Sequence, residues 1–233
     1  MSMSLFLMFG NADVLHYARN GVLVAFTVYL AFQVRKPSRW LGRPFVWIMN
    51  SSHSSLTDWG LEHVVTGKDF TILDVGCGGG RTIQKLAAMA SNGNVFGIDY
   101  AAGSVAVASR KNADLVQEGR VEICAGSVSQ LPYPSNTFDL VTAIETQYYW
   151  PNLVSDMKEI RRVLKPGATL LVINEVYDKG ETISVEGMVM KLLQSKTLTV
   201  DGYLRSFSEA GFCEIRTDEH RKGWVCAFGR KPE

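Results

Sequence analysis

One segment in the first half of the chain combines a strand-like run, a glycine-rich turn and a helical pattern. Residues 71–75 form a largely apolar run that leads into four glycines within 76–80, and apolar residues then recur at helical spacing over 81–90. A strand that opens through glycines into a helix N-terminus allows backbone N–H groups to approach a bound molecule closely. A second apolar run ends at Asp99, about 20 residues after the glycines, where a carboxylate can hold ribose hydroxyls. The segment therefore predicts a site for a nucleotide-type cofactor.

The spacing of the glycines separates two classes of cofactor. A dinucleotide fingerprint, G-x-G-x-x-G, that begins at Gly76 requires a third glycine at position 81, where the chain has Arg81. Arginine is too large for the close helix–strand contact made there, which disfavours an NAD-dependent oxidoreductase. The chain has instead the pattern D-x-G-x-G-x-G, formed by Asp74, Gly76, Gly78 and Gly80.

This pattern resembles motif I of the class I S-adenosylmethionine-dependent methyltransferases. Three further segments, 126–146, 158–175 and 210–231, are similar to later motifs of the same family. The resemblance covers residues 52–231 and is closest to the small single-domain enzymes grouped with ubiquinone and menaquinone biosynthesis. It implies S-adenosylmethionine as the cofactor and the transfer of its methyl group, by in-line displacement, to a small-molecule acceptor.

Strands and helices alternate along the chain, which predicts a parallel sheet covered by helices on both faces. The predicted strands are 71–75, 95–98, 121–124, 138–143, 169–174, 212–217 and 224–229, and the predicted helices are 81–90, 102–117, 153–164, 186–195 and 200–210. The last two strands are separated only by 218–223, which is too short for a crossover helix, so they form a hairpin. The prediction is an α/β, Rossmann-like fold with a seven-stranded, mostly parallel sheet and one antiparallel strand near the C-terminus.

Ligands of such sheets bind at the carboxyl ends of the strands, so the residues there are candidates for cofactor contacts. The methionine part of the cofactor carries an ammonium and a carboxylate, which Asp74 and the N-terminus of the following helix can bind respectively. Gly76, Gly78 and Gly80 give the backbone access to the cofactor. The resemblance assigns Asp99 to the ribose.

Three residues are expected near the adenine. Tyr100 directly follows Asp99 and can lie along the ring. Many relatives have an acidic residue after the third strand that binds the adenine amino group, and Ser127 stands at that place here. We therefore expect the adenine contact from Ser127 and from the backbone of Val128.

Three residues are candidates for catalysis. Glu145 ends the fourth strand, where the family places residues beside the methionine moiety and the acceptor. Tyr148 belongs to the aromatic run 147–150. This run either contacts the ligands, by lining the acceptor pocket or stacking against the positive sulfonium, or packs against the following helix as a hydrophobic clamp. His53 precedes the core, and histidine suits proton removal at neutral pH. The alternative is that His53 is a loop histidine without a role.

The N-terminal 50 residues form a predicted extension ahead of a methyltransferase domain at 51–233. Residues 21–34 are almost wholly apolar and are followed by a basic group at 35–43. Fourteen residues of helix rise about 21 Å, less than the ~30 Å hydrocarbon core, so a spanning helix is disfavoured. We expect residues 14–50 to lie on a membrane surface, or to pack on the core or on a second subunit of a homodimer.

Net charge and cysteine usage limit the classes of function and the cellular locations that remain. A net charge of +1 argues against a dedicated nucleic-acid-binding protein, which would carry a strongly basic face. The four cysteines show no C-x-x-C pair and no metal-ligand spacing, so we predict no metal site and a reducing, cytoplasmic location, peripheral to a membrane if the N-terminal helix lies on one. Two alternatives stay open: a membrane-surface methyltransferase with a lipid or quinone-like acceptor, and a non-catalytic cofactor-binding or regulatory protein.

Overall fold

The strand order of the central sheet creates the place where a ligand can bind. This computed structural model describes residues 54–180 and 195–233. Within them the chain forms a seven-stranded sheet, whose strands lie in the order β3 (Val121–Ala125), β2 (Asn94–Asp99), β1 (Thr71–Val75), β4 (Phe138–Ile144), β5 (Leu164–Asn174), β7 (Val225–Arg230) and β6 (Cys213–Glu219). Because β1 has β2 on one side and β4 on the other, the strand order reverses at β1, and such a reversal opens a crevice at the carboxyl ends of the strands. His53, the predicted extension and residues 186–194 of the predicted helix at 186–195 lie outside the described residues.

The seven predicted strands are all present, with bounds that differ by a few residues. The elements are α1 (Ser54–Leu61), β1 (Thr71–Val75), α2 (Arg81–Met89), β2 (Asn94–Asp99), α3 (Ala102–Lys111), α4 (Ala113–Gln117), β3 (Val121–Ala125), β4 (Phe138–Ile144), a 3-10 turn (Gln147–Tyr149), α5 (Leu153–Val163), β5 (Leu164–Asn174), α6 (Val200–Glu209), β6 (Cys213–Glu219) and β7 (Val225–Arg230). Strands β1 to β5 pair in parallel, and β7 pairs antiparallel with both β5 and β6. The predicted sheet with one antiparallel strand is confirmed.

Each face of the sheet has its own hydrophobic core. Neighbouring residues of β1 point to opposite faces, as the two-residue period of a strand requires, and Ile72 and Leu73 are both fully buried. Helices α1, α2 and α3 contribute to the core around Ile72, whereas α5 and α6 contribute to the core around Leu73. The predicted covering of both faces by helices is therefore observed.

The predicted helix 102–117 is divided into α3 and α4 at Asn112. The side-chain amide of Asn112 donates to Gly80 O at 3.0 Å and to Ala108 O at 2.8 Å. Asparagine competes in this way with the regular bonds of a helix. A Cβ added at Gly80 would lie 2.5 Å from Nδ2 of Asn112, so the two residues are in close contact. The residue that breaks the helix therefore packs against the glycine turn after β1.

Strand β5 begins five residues earlier than predicted, because residues 164–168 belong to it as well. Gly167 has φ 72°, and the register between β4 and β5 shifts near Phe138. The irregularity behaves as a bulge that bends the strand without ending it. Lys165 holds this end in place through bonds of 2.8 Å to both carboxylate oxygens of Asp139. None of the helices in the two described ranges has the length and apolar character needed to cross a membrane.

Candidate active site

Three carboxylates lie at the carboxyl ends of three adjacent strands. Asp99 ends β2, Asp74 lies one residue before the end of β1, and Glu145 directly follows β4. These strands flank the reversal of strand order, where α/β sheets bind their ligands. The fold therefore brings together residues that are up to 71 positions apart in the chain (145 − 74).

The glycine turn after β1 is open on one side and tightly packed on the other. Its glycines at 76, 78 and 80 have φ values of 75°, 51° and 75°, a region that side chains disfavour. A Cβ added at Gly78 would meet nothing closer than a backbone oxygen at 4.0 Å, which leaves room for a ligand. A Cβ at Gly76 would lie 2.1 Å from Oγ1 of Thr146. The turn therefore packs against the loop that follows β4, a contact that the sequence did not predict.

Asp99 holds the glycine turn as well as the end of β2. Its Oδ2 accepts the N–H of Gly78 at 2.9 Å, and its Oδ1 accepts the N–H of Ala101 at 2.8 Å. Burial raises the pKa of Asp99, and these two backbone donors oppose the rise. A carboxylate oxygen can accept more than one bond, so each oxygen keeps capacity for a ribose hydroxyl.

Asp74 is a buried carboxyl with one side-chain donor. It is 2% exposed, and its Oδ1 accepts the hydroxyl of Thr142 at 2.7 Å. Burial raises the pKa of Asp74 to about 7, and the like charge of Asp99 adds to the rise, while the bond from Thr142 opposes it. An acid in this state is stabilised in its ionised form by a nearby cation. Thr142 pairs with Asp74 in the register of β4 and β1, which the sequence alone does not reveal.

Glu145 is joined to the end of β5. Its Oε1 accepts the hydroxyl of Tyr148 at 3.1 Å and also the N–H of Glu175. Burial raises the pKa of Glu145 to about 7, the neighbouring charge of Glu175 adds to the rise, and the two hydrogen bonds oppose it. A carboxylate with a pKa near the working pH is suited to accept a proton. Tyr148 is 2% exposed, so its ring packs in the interior and its hydroxyl is the group that contacts Glu145.

The predicted adenine contacts lie beside Asp99 on the neighbouring strand end. Tyr100 is 48% exposed, and Ser127 is exposed after β3, whose Ala125 pairs with Asp99. Val128 is 7% exposed and its side chain belongs to the core, so a contact to the cofactor would come from its backbone. The roles of these residues stay predictions.

A cleft of about 580 Å³ opens at the same edge, between the segment after β5 and the β6–β7 hairpin. The hydroxyl of Tyr177 donates to Glu219 across it, and Asp201 at the start of α6 lines it. The hairpin thus contributes to this edge, although no motif in its sequence indicates it. No cluster of three or more His, Cys, Asp or Glu side chains that could hold a metal ion occurs within the described part of the chain.

Comparison with known proteins shows similarity to methyltransferases. A family model described as a methyltransferase domain matches residues 73–172. The sterol 4-C-methyltransferase strm-1 of Caenorhabditis elegans is 29% identical over 147 residues, which are 61% of this chain and 42% of that protein. A demethylmenaquinone methyltransferase of Bacillus licheniformis is 31% identical over 122 residues, 52% of this chain and 51% of that protein. The chain spans about half the length of these curated relatives.

The same fold occurs in a solved S-adenosylmethionine-dependent methyltransferase from Aquifex aeolicus. The two structures agree with a TM-score of 0.65 at 20% identity, over 81% of this chain and 97% of that one. The predictions of an α/β Rossmann-like fold, of this family and of S-adenosylmethionine as its cofactor are confirmed. Residues 73–172 thus match a methyltransferase domain, and the chain is similar to the class I S-adenosylmethionine-dependent methyltransferases.

Proposed function

We propose that the protein transfers the methyl group of S-adenosylmethionine to a small-molecule acceptor held at the carboxyl ends of β4 and β5. The observation that carries the proposal is the meeting of Asp74, Asp99 and Glu145 beside a glycine turn that is open at Gly78. The residues fit the cofactor, because two buried acids with raised pKa values favour a ligand with an ammonium and a sulfonium charge. Asp99 would hold the ribose and Asp74 the ammonium.

The residues of the chain contribute mainly by position. When bound, S-adenosylmethionine supplies a methyl group whose C–S bond breaks as the acceptor bonds to the methyl carbon, with the electron pair passing to sulfur. Alignment of donor and acceptor can lower the barrier by about 7–11 kcal/mol. Glu145 accepts the proton that the acceptor loses, and its carboxylate is suited to do so because its pKa is about 7.

Ligand binding provides the first test of the proposal. At a concentration of a hundred times its Kd, S-adenosylmethionine or S-adenosylhomocysteine should stabilise the folded protein by about 2.7 kcal/mol, which is measured as a rise in the melting temperature. NAD serves as the control ligand and should produce no rise. A rise with NAD alone contradicts the proposal. Formation of S-adenosylhomocysteine with a library of acceptors then distinguishes an enzyme from a non-catalytic binding protein.

The state of Asp74 makes cofactor binding dependent on pH. Because the carboxyl has a pKa of about 7, it is increasingly protonated below that pH and no longer offers a charge to the ammonium. We expect the Kd for S-adenosylmethionine, measured by calorimetry, to rise as the pH falls from 8 to 6, by up to about tenfold per pH unit for one proton. Asp74→Asn keeps an acceptor for Thr142 and should bind weakly with a flatter pH dependence. A pH-independent Kd in the unmodified protein contradicts the role of Asp74.

A lipid or quinone-like acceptor is the second candidate, supported by the names of the two curated relatives, which concern a sterol and demethylmenaquinone. The N-terminal segment 14–50 would then bring the domain to a membrane surface. Full-length protein should sediment with anionic phospholipid vesicles and transfer labelled methyl groups to an added quinone, whereas deletion of residues 1–34 should abolish sedimentation and retain cofactor binding. Transfer restricted to hydrophilic acceptors, with no vesicle binding, contradicts this candidate.

A further inference from the structure

The hydroxyl of Tyr148 lies between the ends of two strands. Tyr148 is part of the 3-10 turn after β4, and its hydroxyl donates to Oε1 of Glu145 at 3.1 Å. The same hydroxyl accepts the backbone N–H of Val176, beyond β5, at 3.0 Å. A buried phenol with both its donor and its acceptor engaged is confined to one orientation. The hydroxyl therefore connects the Glu145 carboxylate to the backbone of the neighbouring segment.

Glu145 has a backbone conformation that requires such support. Its φ of 58° lies in the left-handed region, which residues other than glycine rarely adopt. Residues kept in this region cost of order 1–3 kcal/mol and persist where the surrounding structure holds them. The N–H of Glu175 donates to the same oxygen as Tyr148, so two donors from the β4–β5 junction converge on Oε1 of Glu145.

We propose that Tyr148 is a positioning residue whose hydroxyl holds the Glu145 carboxylate at the end of β4 in its left-handed conformation. Tyr148 acts in the reaction only through Glu145, the base of the proposed function. Burial keeps the pKa of Tyr148 well above its usual value, so the hydroxyl keeps its proton and donates throughout the neutral range. A bond donated to a carboxylate favours the ionised form, so Tyr148 opposes the effect of burial on the pKa of Glu145.

Among the residues that the structure describes, the other titratable groups that act on Glu145 are Glu175 after β5 and Tyr203 on α6. Tyr203 provides a matched control, because it is also a fully buried tyrosine with an engaged hydroxyl. That hydroxyl accepts the side-chain amide of Asn174 at 2.5 Å and donates to Oε1 of Gln147 at 3.3 Å. Tyr203→Phe therefore removes the same atom from a similar environment without removing a donor to Glu145.

The test is a direct titration of Glu145 in the full-length protein. Protein labelled with ¹³C at the glutamate carboxyl is followed by NMR across pH, and the Glu145 resonance is identified by its absence in Glu145→Gln. We expect a midpoint at about 7 in the unmodified protein. Tyr148→Phe should move the midpoint to higher pH, because the ionised form loses a donor, and Tyr203→Phe should leave it unchanged. An unchanged midpoint in Tyr148→Phe, or an equal shift in Tyr203→Phe, overturns the proposal.

A second measurement uses the unmodified protein alone, in case Tyr148→Phe does not fold. The ¹³Cζ resonance of Tyr148 should titrate with the midpoint of Glu145, whereas that of Tyr133, whose hydroxyl lies 3.4 Å from Sγ of Cys124, should not. A Tyr148 resonance that ignores this midpoint overturns the proposal. Neither measurement needs cofactor or acceptor. A protein with the expected titrations that binds no S-adenosylmethionine contradicts the proposed function and leaves the contact of Tyr148 with Glu145 supported.

Discussion

Glu145→Gln is expected to lower turnover by about 10²–10⁴-fold, the usual contribution of a general base. Glutamine has the size of glutamate and still offers an oxygen to the hydroxyl of Tyr148, but it cannot accept a proton at neutral pH. The affinity for S-adenosylmethionine should change far less, since Asp74 and Asp99 are expected to hold the cofactor. Steady-state kinetics with a fixed acceptor and calorimetry of cofactor binding measure the two effects separately.

Glu175→Gln is the matched control, because Glu175 lies at the same edge of the sheet, is exposed and touches Glu145 with its backbone N–H. Its turnover should remain close to that of the unmodified protein. At saturating S-adenosylmethionine, the kcat/KM of the unmodified protein for the acceptor should rise with pH through about 7, as the Glu145 carboxyl ionises, and then level off. A Glu145→Gln variant with full activity, or with an unaltered pH profile, shows that the acceptor needs no base at this position.

Asp99→Ala is expected to weaken the binding of S-adenosylmethionine by about 1.5–3 kcal/mol, or roughly 10- to 150-fold in Kd, the range for hydrogen bonds to a charged group. The ribose hydroxyls lose the Asp99 carboxylate as their expected hydrogen-bond acceptor, and the N–H groups of Gly78 and Ala101 lose the same acceptor. The glycine turn is therefore disturbed at the point where the cofactor is expected to bind. Calorimetry at constant salt measures the change in Kd.

Asp69→Ala makes the same chemical change near the opposite end of β1, at an exposed position, and should leave the Kd unchanged. Asp99→Asn keeps the shape of the side chain and should bind more tightly than Asp99→Ala. Equal affinities in Asp99→Ala, Asp69→Ala and the unmodified protein exclude the ribose contact.

The local features of the fold were predictable because they have local causes. The apolar runs mark strands, and the glycines after β1 mark a turn that only small residues allow. The break at Asn112 was missed because its cause is a bond to Gly80, 32 positions away. The early start of β5 was missed because it depends on pairing with β4, which continues the strand across Gly167.

The candidate site was predictable in part for the same reason. Asp74, Asp99 and Glu145 follow apolar runs, so their location at one edge could be inferred. The hydrogen-bond partners that surround the site's side chains could not be inferred. Thr142 meets Asp74 through the register of two strands whose residues are 68 positions apart, and Val176 meets Tyr148 across 28 positions. Such contacts depend on packing that no local pattern encodes.

The contact between Gly76 and Thr146 has a consequence for how the binding of cofactor and the binding of acceptor affect each other. A Cβ at Gly76 would overlap with the Thr146 side chain, so the two loops fit together with no spare room, and Thr146 is the residue after Glu145. A ligand that shifts the glycine turn must therefore displace the neighbour of the proposed base. Because coupling between two sites is reciprocal, an acceptor bound at Glu145 changes the affinity for the cofactor by the same factor as the cofactor changes the affinity for the acceptor.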